Sequence, residues 1–309
     1  MNGTRNRPSI IAHRGASGYL PEHSLAAKAL AFGQGADFLE QDIVASRDGE
    51  LLVVHDTFLD YVTDVADRFP GRQRADGHFY CIDFDLAEIK TLLLRERVTP
   101  EGHQQYPERY PGGPTAFGVC TFEEELSFIA GLIRSAGRSV GIYPEIKSPA
   151  WQREQGIDVT PRVLATLEKF GYLAAGQPIF LQCYDRDELK RVRAECPDLP
   201  LVQLISSRSR VDAALLDDTA TYANGIGPSM QLILTGRAPG GAFEISGLVT
   251  EAQARGLSVH PYTFRADDLP DACNSFDELL ELFFGRLKVD GVFTDFPDRV
   301  RRWLNERGQ

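Results

Sequence analysis

Two histidines, three carboxylates, an arginine and a lysine stand at the ends of apolar runs in this chain. His13 and Arg14 follow the run at 9–12, and Glu40 and Asp42 alternate along 38–44. His55 closes the run that begins at Leu51, and Glu145 and Lys147 alternate at the end of 140–147. Side chains two apart on a strand share a face, so Glu40 projects with Asp42 and Glu145 with Lys147. In α/β folds the carboxyl ends of strands are where ligands bind. Taken singly, each acid would be an ordinary solvated or salt-bridged carboxylate; gathered at one barrel mouth, three must take up protons or bind a cation. An all-oxygen donor set selects a hard divalent ion, Ca²⁺ or Mg²⁺, over zinc. Two histidines across such a site can act as base and acid near neutrality. Arg14 matches two phosphate oxygens at once, and Lys147 adds a second fixed charge. Together these groups describe metal-assisted cleavage of a phosphodiester, with a small anionic molecule as the substrate.

Other ionisable residues take lesser roles in this reading. Asp56 follows His55, and adjacent strand residues point to opposite faces, so it is expected to open a loop rather than orient the histidine. His23 stands where a helix begins, either behind the site or in a purely local role. His78, His103 and His260 read as surface or core.

The elements that must position these residues form an alternating pattern. Strands are expected at 9–12, 38–44, 51–56, 140–147, 179–182, 201–205, 222–228, 257–264 and 291–295. Helices are expected at 25–32, 163–170, 187–196, 243–255, 276–284 and 298–306, and one after Thr121, whose capping box with Glu124 opens a run to about Ala136. Gly15 permits a sharp exit from the first strand. Alternation of this kind over roughly 250–300 residues points to a single α/β domain spanning 1–309, a somewhat irregular (β/α)8 TIM barrel. Nine strand candidates compete for eight places. The connection from Val44 to Glu50 is too short for a helical crossover, so the second and third candidates form a hairpin or one lies outside the barrel. Residues 57–118, rich in Gly, Pro, Arg and Asp, break the pattern as an insertion after the third candidate, expected to cap the site. Arg68, Arg72 and Arg74 lie there among Asp64, Asp67 and Asp76, a mixed-charge composition with no amphipathic face of the kind that enters a bilayer.

The totals narrow the classes. The 309 residues carry a formal charge of −11, with 43% hydrophobic and 25% charged residues. That composition suits a soluble globular protein and offers no basic footprint for nucleic acid. The same charge repels an anionic substrate at long range, so an anion site must be made locally. The 5 cysteines have no CxxC spacing and read as core residues or stray thiols. No run is long enough for a membrane span. The first residues show no signal-peptide pattern, which predicts a cytoplasmic protein as the sequence stands and a periplasmic one if a leader was removed. Oligomeric state is not legible.

His13-Arg-Gly with Pro21-Glu-His, Glu40-x-Asp42, His55-Asp56, Pro144-Glu-Ile-Lys147 and Phe293-Thr-Asp-Phe-Pro297 occur in that order. As an ordered set, from Ile10 to Trp303, they resemble the glycerophosphodiester phosphodiesterase family. The long segment after His55 and the histidine at position 23 resemble its periplasmic bacterial branch; the absence of a leader departs from that branch. The resemblance implies a TIM barrel, one divalent cation (Ca²⁺ in the periplasmic branch, often Mg²⁺ elsewhere), and hydrolysis of glycerophosphodiesters to glycerol 3-phosphate and an alcohol. It implies that Glu40, Asp42 and Glu145 are the metal ligands, His13 and His55 the acid–base pair, and Arg14 and Lys147 the phosphate-binding residues. Gln182, Tyr262 and Phe264 would line the pocket. Related barrels that cleave lysophospholipids or phosphoinositides, and a non-catalytic metal-binding barrel, are the alternatives.

Overall fold

A computed structural model describes residues 7–111 and 116–308. Its strands are β1 (Ser9–Ala12), β2 (Phe38–Ala45), β3 (Leu51–Val53), β4 (Gly141–Ile146), β5 (Leu181–Cys183), β6 (Leu201–Ile205), β7 (Gly225–Pro228), β8 (Leu234–Arg237), β9 (Phe243–Ile245), β10 (Ser258–Val259) and β11 (Gly291–Thr294). Eight of them run parallel in the order β10-β7-β6-β5-β4-β2-β1-β11, and β3 pairs with β2 off this path. The ring nearly closes where the Asp290 N–H donates to Val259 O at 3.1 Å and the Phe264 N–H to Phe293 O at 2.8 Å. Helices between the strands complete a TIM barrel. The β2–β3 pairing is antiparallel, with Ile43 opposite Val53. The short 45–50 connection thus makes a hairpin, and the third strand candidate, β3, stands outside the barrel.

Alternation sorts the side chains into layers. Ile10 and Ala12 of β1 enter the cores between strands and helices. Ile11 points inward to a plug with Tyr143, Val202 and Phe293 that fills the barrel. His260 belongs to that plug, its Nδ1 2.8 Å from the Tyr143 hydroxyl. Above the plug the inward positions turn polar, and there the site begins.

Several helices start and stop where local chemistry dictates. Ser24 caps Leu25–Gly33 by accepting from the Ala27 N–H at 3.1 Å. Thr121 and Glu124 form the expected reciprocal box at the head of Phe122–Ala136, which ends on Gly137 at φ 62°. Elsewhere the expectations need correction. Residues 243–255 are not one helix: Phe243–Ile245 pairs with Leu234–Arg237 in a separate two-stranded ribbon, and the helix begins at Leu248. The strand expected at 222–228 is β7, but the helix Ala213–Thr219 ahead of it was not expected. The 57–118 segment is no structureless cover either. Leu59, Val65, Phe79, Phe84, Ile89 and Leu92 pack with Val44 and Leu52 into a small core of their own. Arg68, Arg72 and Arg74 pair with Asp64, Glu88 and Asp83 on that body. None of the three lines the cavity at the barrel mouth.

Candidate active site

Strand register builds the site. Glu145 of β4 lies opposite Asp42 of β2 on one side and Gln182 of β5 on the other. Ala12 of β1 pairs with Leu39 and with Thr294, which brings His13, one residue on, beside Glu40 and Asp295. The chain then turns abruptly. Arg14 takes φ 58° and Gly15 φ 90°, and a Cβ on Gly15 would come within 2.8 Å of the Ala27 backbone. The left-handed Arg14 costs on the order of 1–2 kcal/mol. That conformation accompanies a hydrogen bond from its backbone N–H to Glu40 Oε2 at 2.6 Å.

His13, Arg14, Glu40, Asp42, His55, Glu145, Lys147, Gln182 and Tyr262 all line one cavity of about 460 Å³ at the carboxyl ends of the strands. Phe264 does not. It is fully buried in the outer core against Phe283, at 4.9 Å between ring centroids. The β10 ladder ends at Val259, and beyond it the chain makes only single bridges at Tyr262 and Phe264. Two-residue alternation therefore fails, and Thr263 and Arg265 face the cavity instead.

Glu40, Asp42 and Glu145 each present a ligand oxygen within 4.8 Å of the other two, a spacing that could hold a metal ion. Burial and the Asp42 charge raise the Glu40 carboxyl well above the usual range. Burial pushes Glu145 up to about 8, against the pull of Lys147. Asp42 goes the other way: despite burial, Lys147 and His23 hold it well below the usual range. Three anions are thus not sustained here by the protein alone. The donor set is all oxygen, and Asp42 Oδ1, buried without a hydrogen-bond partner, points to a hard cation as the missing neighbour. His23 Nε2 sits 2.8 Å from Asp42 Oδ2, which places it behind the trio rather than in a purely local role.

The cations are close by. Lys147 Nζ lies 2.8 Å from Glu145 Oε1 and 3.5 Å from Asp42 Oδ1. Arg14 Nη1 contacts both oxygens of Glu22, at 3.0 and 2.9 Å. Arg14 Nε has no hydrogen-bond partner among the described residues and lies 3.6 Å from Asp42 Oδ2.

Both histidines are backed by carboxylates. His13 Nδ1 is 2.6 Å from Asp295 Oδ1, and His55 Nδ1 is 2.8 Å from Asp56 Oδ1. The second contact corrects the expectation for Asp56: β3 ends at Val53, so His55 and Asp56 are not strand neighbours on opposite faces, and the aspartate folds back onto the ring. With Nδ1 engaged, each imidazole has Nε2 left for the cavity. Burial and then Arg14 lower His13 to about 4 and His55 to about 3. Both rings are therefore neutral near pH 7.

Asp295, Glu22, Arg97, Arg109 and Arg265 were not singled out by sequence reasoning. The first two carried a usable signal, since Asp295 ends the last strand and Glu22 sits in the Pro21-Glu-His run. Arg97 and Arg109 lie in an insertion without periodicity and carried none.

A profile of the glycerophosphoryl diester phosphodiesterase family matches residues 13–299. A glycerophosphodiester phosphodiesterase of Haemophilus influenzae is 41% identical over 318 residues, covering 94% of this chain and 87% of that protein. One of Treponema pallidum is 36% identical, covering 98% and 94%. Among solved structures, an Oleispira antarctica phosphodiesterase in complex with the product sn-glycerol-3-phosphate superposes with a TM-score of 0.66 at 22% identity, over 96% of this chain and 97% of that one. With the ordered motifs, the barrel and the cavity in place, the chain belongs to the glycerophosphoryl diester phosphodiesterase family.

Proposed function

We propose that this protein hydrolyses glycerophosphodiesters to glycerol 3-phosphate and an alcohol, using one divalent cation held by Glu40, Asp42 and Glu145. The observation that carries the reading is the single cavity in which that trio, two carboxylate-backed histidines, Arg14 and Lys147 meet. When bound, a hard ion such as Ca²⁺ or Mg²⁺ supplies charge neutralisation for phosphoryl oxygens. Arg14 and Lys147 orient the phosphate and oppose the negative charge that grows in the transition state. One neutral histidine accepts, through Nε2, the proton of the glycerol hydroxyl next to the phosphate as that oxygen bonds to phosphorus, and water later opens the resulting cyclic ester to glycerol 3-phosphate. The P–O bond to the leaving alcohol breaks, and the other histidine, in its protonated form, donates to the departing oxygen. Arg14 is the second cause, after burial, that keeps both rings neutral. A phosphate anion on Arg14 offsets that influence, so substrate binding itself favours charging the acid.

A water-soluble diester suits the surroundings better than a lipid. The apolar side chains of the inserted segment pack inward, and Tyr184 and Ile245 are the large hydrophobic residues left exposed among those described. The chain is read as acting without inserting into a membrane and without nucleic acid as a partner. Steady-state hydrolysis of glycerophosphocholine by purified protein, with chelator and then with Ca²⁺ or Mg²⁺ returned, tests the proposal. Activity should vanish with the chelator and return with the ion. Full activity in excess chelator, with metal analysis showing no bound ion, would refute the ligand assignment; no turnover under any condition would refute the reaction.

A further inference from the structure

The inserted segment touches the acid–base machinery through two arginines that do not line the main cavity. Arg97 holds Glu22 with two donors, Nε at 2.9 Å and Nη2 at 2.7 Å, and reaches Asp56 Oδ2 with Nη1 at 2.7 Å. The other oxygen of Asp56 takes the Nδ1 of His55. Arg109 donates from Nη2 to Asp295 Oδ2 at 2.8 Å and grips Asp267 from Nε and Nη2 at 2.7 and 3.0 Å. The other oxygen of Asp295 takes the Nδ1 of His13. The same three-link chain, histidine to aspartate to arginine, therefore occurs twice. Its two histidines follow different strands, β1 and β3, and both arginines come from the insertion.

The arrangement does more than neutralise charge. Asp295 already has a guanidinium partner from the barrel, Arg265 Nε at 2.9 Å, on the same Oδ2 that Arg109 contacts. Two guanidinium groups on one oxygen fix the carboxylate plane and leave Oδ1 to the imidazole alone. Asp56 lies beyond its strand and is not held by a ladder, so Arg97 supplies the restraint that the backbone does not. Side chains that orient a reacting group through a hydrogen bond ordinarily account for about 10–100-fold in activity. A plain tether between insertion and barrel would not need the two carboxylates that carry the histidines.

We propose that Arg97 and Arg109 are positioning residues, Arg97 for His55 and Arg109 for His13, so that the insertion is part of the acid–base apparatus rather than a cover over it. The inference rests on the phosphodiesterase reading for its kinetic arm and on geometry alone for its spectroscopic arm. The variants are Arg97→Met and Arg109→Met, with Arg97→Lys and Arg109→Lys as versions that keep a charge at the tether but lose the fork of donors. The first measurement is kcat on two diesters of glycerol 3-phosphate, one with choline and one with 4-nitrophenol, a far better leaving group. Each variant should lose about 10–100-fold in kcat on the choline ester with KM changed less than about threefold. One of the two, the one serving the histidine that protonates the leaving group, should recover most of its loss on the nitrophenyl ester. The second measurement follows the ¹⁵N imidazole resonances of His13 and His55: Arg97→Lys should move those of His55 only, and Arg109→Lys those of His13 only.

Equal losses on both esters for both variants, a change confined to KM, or resonances that move together or not at all would overturn the proposal in favour of a structural tether. A wild-type protein inactive on both esters would refute the phosphodiesterase reading instead, and the resonances would still decide the positioning role. If the methionine variants fail to fold, the lysine variants carry both measurements.

Discussion

Glu96 offers a sharp test of the electrostatics around the site. The residue is 4% exposed and its Oε2 has no hydrogen-bond partner among the described residues. Burial, and then the nearby Glu22 charge, push its carboxyl up to about 8 from an ordinary 4.5, against the pull of Arg109. Between those two values the unfolded chain has released the proton and the folded protein still holds it. Folding then costs about 1.36 kcal/mol more for each pH unit of rise. At pH 7 the accumulated loss is about 3 kcal/mol at most, and about half of that where local relaxation solvates the group. Above about pH 8 both states are ionised and the loss is complete. Glu96→Gln keeps the shape and removes the ionisation. It should match wild type near pH 4.5, unfold at a higher temperature by several degrees at pH 7, gain further to about pH 8 and hold that difference to pH 9. Thermal or urea unfolding of both proteins at pH 4.5, 6, 7 and 8.5 measures the difference. Parallel pH profiles for the two proteins would refute the reasoning, because the carboxyl would then ionise at its unfolded value.

Three further outcomes follow from the placement of single side chains. Glu145→Gln, which preserves volume but removes one anionic oxygen from the trio, should weaken divalent-ion binding at least tenfold by calorimetry while the melting temperature of the ion-free protein holds or rises. An unchanged dissociation constant would remove Glu145 from the ligands. His13→Ala and His55→Ala should each lower kcat by roughly 10²–10⁴ with much smaller changes in KM; either variant near wild-type turnover would end the two-histidine scheme. Phe264→Ala should cost about 3–5 kcal/mol in unfolding experiments and leave kcat/KM within a few-fold of wild type. A KM effect without destabilisation would return Phe264 to the pocket wall.

The barrel was legible in the sequence because its strands are short apolar runs that end in polar groups, and every strand expected from them exists. The cavity-lining carboxylates were legible for the same reason: a pair such as Glu40 and Asp42 at i and i+2 announces a shared face whatever the surroundings. What escaped depended on contacts far apart in sequence. Phe243–Ile245 looks like the start of a helix, but its partner is Leu234–Arg237, and its Phe243 ring packs under the Arg237 guanidinium at 4.8 Å. Asp56 was misread through the alternation rule, which holds only inside a ladder; Phe264, assigned to the pocket by the family resemblance, likewise lies past the end of one. The core of the inserted segment draws single apolar residues from turns and four-residue helices, so apart from 86–94, which suggests a helix and holds Leu86–Ile89, it shows no period.

The charge of −11 gains meaning from the way cations are distributed around the two histidines. A uniformly acidic surface repels a phosphodiester, but at physiological salt that repulsion fades over about 8 Å. Inside the cavity the exchange is short-range and weakly screened, and there a few placed groups decide the outcome. Arg97 and Arg109 are each bound to two carboxylates and lie off the main cavity, so their charge is already committed to Glu22, Asp56, Asp267 and Asp295. Arg14 and Lys147 line the main cavity, each with a side chain about one-eighth exposed. Their nearest partners include the carboxylates that would hold the ion. A cation bound by Glu40, Asp42 and Glu145, as proposed, would compete for the oxygens that hold Lys147, whereas the Arg14 guanidinium is held mainly by Glu22. Under the proposed function the acidic trio and the cavity cations would work as one balanced set, which would let an acidic protein present a local site for an anion.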